Sequence, residues 1–196
     1  MRLFIALDID DAIRERIARF VEGVTGFAPE ARWTKPESLH LTLKFIGEQP
    51  EAAVEKIKQA LPAIRAGTAE IRFRGYGFFP TAKSARVFWV GIEASPQLPA
   101  LAAAIDDKLA ALGIPKQDRP FSPHLTLARG QGRSASPRRS KADDAPRRTF
   151  EPLEAKLDAL PTPEFGSMTA RAFFLYQSHL SPKGSSYTKL AGFDLE

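Results

Sequence analysis

No cysteine occurs in the 196 residues, which excludes disulfides, thiolate nucleophiles and any metal held by sulfur. No apolar run approaches the roughly 20 residues that a membrane-spanning helix needs. The opening stretch Met1-Arg2-Leu3-Phe4-Ile5-Ala6-Leu7-Asp8 lacks the small-residue cleavage pattern of a secretory signal, and it reads as a core β-strand of a cytoplasmic protein. No Gly-x-Ser-x-Gly elbow occurs either, which removes one common route to serine hydrolysis. Histidine is scarce, with three copies. The chemistry left open is that of imidazole, carboxylate and hydroxyl.

What is present fits a folded, water-soluble domain. Hydrophobic residues make up 43% and charged residues 26%, which points neither to disorder nor to a fibrous class. A chain of this length can bury a substantial core, and one compact unit of two lobes over residues 1–196 fits it best. The formal charge is +5. Arg129, Arg133, Arg138, Arg139, Lys141, Arg147 and Arg148 stand against Asp143 and Asp144, so this one segment carries the whole excess. Between about 130 and 148 it is rich in Gly, Ser and Pro and reads as a basic loop, solvated or placed to attract RNA in a salt-sensitive way.

Along the chain, Asp10 or Asp11 starts a helix with Ile13, Ile17, Phe20, Val21 and Val24 at helical spacing. A strand runs from Ser38 to Ile46 and stops at Gly47. A second helix is predicted from about Pro50 to Ala66, then a hairpin of strands 70–79 and 86–92. A third helix runs from Ser95 and Pro96 to Gly113. Further on come a strand from His124, a short helix over 151–160, and strands 169–178 and 186–195 around the turn at Pro182 to Gly184. The order has an internal echo, which predicts an α+β fold of two pseudo-symmetric lobes, about 1–93 and 94–196. Each lobe is a mainly antiparallel sheet with outer helices around a central cleft.

The tetrapeptide His-Leu-Thr-Leu occurs twice, at His40–Leu43 and His124–Leu127. Chance would produce a second copy in about one in a few hundred chains of this length. Strand alternation puts His40 with Thr42 on one face, and His124 with Thr126, while the leucines point into the core. Two imidazoles without a neighbouring carboxylate at ligand spacing make a poor metal site. His179, the third histidine, lies in a turn-like stretch and reads as solvent-exposed. Phosphoryl transfer suits the pair better, because an in-line displacement wants a base on one side of phosphorus and an acid on the other. Imidazole, with an ordinary pKa of about 6.5, serves either role, and the threonine hydroxyls can donate to the non-bridging oxygens. The same alternation places Lys44 beside His40 and Thr42, as a further phosphate contact.

The phrases Ser38-Leu39-His40-Leu41-Thr42-Leu43-Lys44-Phe45-Ile46-Gly47-Glu48 and Arg119-Pro120-Phe121-Ser122-Pro123-His124-Leu125-Thr126-Leu127-Ala128-Arg129 resemble the two signature motifs of the two-histidine phosphoesterases. Within them, the chain looks like the bacterial and archaeal RNA 2′,3′-cyclic phosphodiesterases, also called 2′-5′ RNA ligases. The likeness extends from the opening Arg2–Leu7 to the closing hairpin around Tyr176-Gln177-Ser178 and Tyr187. It implies hydrolysis of an RNA-terminal 2′,3′-cyclic phosphate to a 2′-phosphate, without metal or cofactor, and a related reaction in which a 5′-hydroxyl makes a 2′-5′ linkage. By motif position, His124 is the base that activates water and His40 the acid that protonates the leaving 3′-oxygen. Thr42 and Thr126 bind phosphate oxygens, and Arg129 adds a charged contact. Strict alternation puts Ala128 on the catalytic face, so Arg129 needs a bulge or a strand end to turn inward.

Phe45, Phe121 and Tyr187 are the candidates for stacking on base or ribose, with Trp33 and Phe79 beside them. The expected partner is RNA with a 2′,3′-cyclic phosphate end, and the expected assembly a monomer with no membrane attachment. Two alternatives share these residues: a hydrolase of small cyclic nucleotides or ADP-ribose cyclic phosphate, and a non-catalytic RNA-binding module.

Overall fold

The structure is a computed structural model that describes residues 1–130, 148–182 and 184–196; the basic loop is therefore almost wholly outside the described residues. In chain order the strands are β1 (Arg2–Asp8), β2 (Arg32–Trp33), β3 (His40–Glu48), β4 (Ala69–Phe79), β5 (Val87–Ala94), β6 (His124–Arg129), β7 (Glu164–Ala170), β8 (Ala172–Ser181) and β9 (Gly184–Asp194). The α-helices are α1 (Asp11–Val24), α2 (Glu51–Ala60), α3 (Gln97–Ala110) and α4 (Glu151–Asp158). One sheet has the order β3-β1-β8-β9 and the other β2-β6-β5-β4-β7, and every pairing is antiparallel. No helix among the described residues is long and apolar enough to cross a membrane.

The α+β class with two sheet-bearing lobes is as the sequence predicts, but the sheets do not divide the chain near residue 93. Strands β1 and β3 are completed by the C-terminal hairpin β8–β9, while the hairpin β4–β5 lies with β6 and β7 in the other sheet. Each lobe keeps the unit strand, helix, His-bearing strand: β1-α1-β3 and β5-α3-β6. The chain visits the second sheet briefly at β2, returns to the first for β3, crosses again after α2 and comes back at Arg171. Sequence periodicity reports elements and not their partners, so the exchange of hairpins left no trace in it.

Burial follows the apolar pattern. In β1, Leu3, Ile5 and Leu7 point into the core, and all of β1 from Leu3 to Leu7 is buried. Helix α1 buries Ile13, Ile17 and Val24 and sets Phe20 edge-on against Phe165 of β7. Helix α2 ends at Ala60, short of the predicted Ala66, and continues only as a 3-10 turn over Leu61–Ala63; Pro62 has no amide hydrogen with which to extend it. Helix α3 buries Leu98, Leu101, Ala102, Ile105 and Leu109 because it lies across β3 of one sheet and β4 of the other. The chain from Ser178 to Ser181 is strand, not turn, and carries exposed His179, whose Nε2 meets the Thr188 hydroxyl at 3.0 Å.

Candidate active site

Each His-Leu-Thr-Leu strand contains a bulge at its last leucine. In the first sheet Ala6 pairs with Thr42 but Ile5 pairs with Lys44, and in the second Trp89 pairs with Thr126 but Phe88 with Ala128. The extra residue reverses alternation beyond it. Directly paired residues of antiparallel strands share a face, so Phe45 joins Phe4, His40 and Thr42. By the same rule Arg129, paired with Val87, joins His124 and Thr126. The turn that Arg129 needed is therefore present.

The bulge overturns the placement of Lys44. Its side chain enters the core with Ile5 and is the one buried charged residue among the described residues, 1% exposed. It pairs with Asp106 of α3 and donates to the Pro115 carbonyl at 2.8 Å. Its counterpart in the other strand is the buried Ala128. Lys44 is a structural cation and not a phosphate contact.

Both imidazoles are held alike. His40 Nδ1 lies 2.7 Å from the Ser38 carbonyl and His124 Nδ1 lies 2.8 Å from the Ser122 carbonyl. A carbonyl only accepts, so each Nδ1 carries a proton and each neutral ring keeps its lone pair on Nε2. The shared Ser two residues before His was visible in both motifs. Its meaning was not, because the backbone carbonyl does the work. Arg14 of α1 braces the first loop by donating to the carbonyls of Pro36 and Leu39 at 2.5 and 3.3 Å.

Aromatic rings wall each imidazole. Tyr187 meets His40 edge-on at 4.9 Å and Phe79 meets His124 edge-on at 4.9 Å. Phe4 lies 4.7 Å from His40 and stacks on Tyr176, while Trp89 lies 6.3 Å from His124. A Cβ at Gly77 would fall 2.1 Å from the Trp89 indole, so that ring's seat requires glycine. Desolvation by these walls lowers the pKa of both histidines; the Ser38 and Ser122 carbonyls oppose it, Asp8 also raises His40, and Arg129 lowers both. Arg129 is thus electrostatically coupled to both rings. Among the described residues neither threonine hydroxyl has a protein hydrogen-bond partner, and no three His, Asp or Glu side chains converge on a metal-sized site.

Of the stacking candidates, Tyr187 and Phe79 line the histidines, and Phe45 stands 59% exposed on the same face. Phe121 is half-buried against the core. Trp33 is spent on structure, its Nε1 donating to the Ala28 carbonyl at 3.0 Å and its ring edge-on to Phe88.

A duplicated α+β fold with one His-x-Thr strand per lobe defines a two-histidine phosphoesterase. A family model described as LigT like Phosphoesterase matches twice, over residues 7–89 and 90–187, and the chain belongs to that family. It is 34% identical to an RNA 2′,3′-cyclic phosphodiesterase of Archaeoglobus fulgidus over 99% of this chain and 100% of that protein. A Thermus thermophilus protein of the same name is also 34% identical, with 100% of this chain and 90% of the relative covered. Among solved structures, Escherichia coli LigT complexed with 3′-AMP superposes with a TM-score of 0.75 at 28% identity, over 99% of this chain and 97% of that one.

Proposed function

We propose that the protein hydrolyses the 2′,3′-cyclic phosphate end of RNA to a 2′-phosphate by paired imidazole catalysis. The observation that carries this reading is that both Nδ1 atoms are tied to backbone carbonyls, which leaves two Nε2 atoms for proton transfer. The names of relatives that align end to end supply the substrate class.

In this reaction His124 Nε2 takes a proton from water, and the water oxygen attacks phosphorus. The P–O3′ bond breaks opposite it, and protonated His40 gives its Nε2 proton to the departing 3′-oxygen. Water and the cyclic diester become a 2′-phosphomonoester and a 3′-hydroxyl. Thr42 and Thr126 donate to the non-bridging oxygens while Arg129 balances their charge. Phe45 and Tyr187 offer ring faces to the terminal base and ribose. A 5′-hydroxyl in place of water would give a 2′-5′ linkage by the same steps. The family resemblance favours the assignment of His124 as base and His40 as acid.

The test is hydrolysis of a 2′,3′-cyclic-phosphate-ended RNA in excess chelator, with His40→Ala and His124→Ala beside the wild type. The wild type is expected to release a 2′-phosphate end, and each variant to lose roughly 10³-fold or more in rate. Activity surviving either substitution, or vanishing with chelator, would sink the mechanism. Equal rates on a cyclic mononucleotide and on longer RNA would move the substrate to small cyclic phosphates.

A further inference from the structure

The two histidines are near-copies in their backbone clamps and aromatic walls, yet their cross-strand partners differ. His40 pairs with Asp8 of β1, and His124 pairs with Gly91 of β5. The first imidazole therefore has a carboxylate beside it on the same face, where the second has only a hydrogen atom. That carboxylate is itself held: Tyr176 donates to Oδ1, and Lys189 donates to Oδ2 at 2.6 Å. Lys189 is in turn seated 3.7 Å over the Phe174 ring, and a Cβ at Gly192 would fall 2.9 Å from that ring.

We propose that Asp8, clamped by Tyr176 and Lys189, is a positioning residue that favours the protonated form of His40, and not of His124, as the proton donor. The inference rests on the acid role assigned to His40 above, and it supplies a cause for that role inside this chain. The charged and titratable groups facing His40 among the described residues act as follows. Asp8 from β1 favours the imidazolium; Arg129 from β6 and Arg14 from α1 disfavour it, each less than Asp8 does. Tyr187 from β9 and Tyr176 from β8 contribute rings, and burial pushes the Tyr176 phenol far up, so it stays neutral. Lys189 acts through Asp8, taking one of its oxygens. Among the described residues, His124 faces Arg129 with no carboxylate to offset it. A shared cation and an unshared anion thus act differently on the two rings, and the anion favours the proton on His40.

The test is an NMR titration of the imidazole Cε1 protons in the full chain, for wild type, Asp8→Asn and Lys189→Met, with peaks assigned by His40→Asn and His124→Asn. Asp8→Asn is expected to lower the His40 midpoint by about one unit and to leave His124 in place, while Lys189→Met raises the His40 midpoint. A carboxylate that only supported the fold would move both rings or neither. An unmoved His40 midpoint in Asp8→Asn, or an equal shift at His124, would overturn the proposal. Failure of the wild type to hydrolyse a cyclic phosphate would instead strike the functional reading and leave the titration standing.

Discussion

On the proposed mechanism Arg129 and the two imidazoles set the chemistry at the scale of single residues, and the pH behaviour of the imidazoles has a definite sign. Burial lowers both histidine pKa values in the folded protein, so the unfolded chain binds more protons near the ordinary histidine range. Stability is then full above about pH 6.5 and falls as pH drops through the folded values. The melting temperature of the free protein is expected to fall between pH 7 and pH 5, and the double variant His40→Asn, His124→Asn to flatten that fall; an unchanged slope would contradict it. Arg129→Gln removes the charge shared by both rings. Its expected effect is a loss of about 10²-fold in kcat on a cyclic-phosphate RNA, together with a rise in both histidine pKa values, measured by the rate profile from pH 5 to 9. At this scale the His and Thr positions were legible because alternation alone puts them on one face. Asp8 was not, because only strand pairing brings it to His40.

Element by element, the two bulged strands explain what alternation could and could not foretell. Counting by twos from His40 is right as far as Thr42 and wrong at Lys44, since Leu43 and Lys44 both turn inward. The same slip corrects Arg129 in the other direction. A bulge has no sequence signature here beyond its result, and it becomes visible only in the pairing register. Lys44 then ties the first catalytic strand to α3 and, through Pro115, to the segment that leads into His124; Asp106 also accepts from the Gln117 amide. Lys44→Met strands a mostly buried carboxylate and is expected to cost about 3 kcal/mol, or roughly 10 °C in melting temperature. The KM for a cyclic-phosphate RNA should stay near the wild-type value. A large rise in KM with unchanged melting would restore Lys44 to the phosphate.

For the molecule as a whole, the family model matches the chain as two successive halves, yet each sheet draws on both. Helix positions, the first hairpin and the twin motifs were legible because each is local. The exchange was not, because it is a matter of which strand edges meet. One consequence is that both chain ends build the His40 lobe: β1 lies between β3 and β8. Removing residues 172–196 would bare the edge of a strand whose residues Leu3–Leu7 are buried and would strip Tyr176, Tyr187 and Lys189 from His40. Such a truncation is expected to be insoluble on expression, whereas a soluble, cooperatively melting product would contradict the pairing. On the proposed mechanism one phosphorus would lie between an acid and a base that differ only in their surroundings. The division of labour between them is tested most directly by a cyclic-phosphate substrate whose bridging 3′-oxygen is replaced by sulfur, since a thiolate departs without a proton. His40→Ala should recover most of the wild-type rate on that substrate and His124→Ala should not; rescue of His124→Ala instead, or of neither variant, would contradict the assignment.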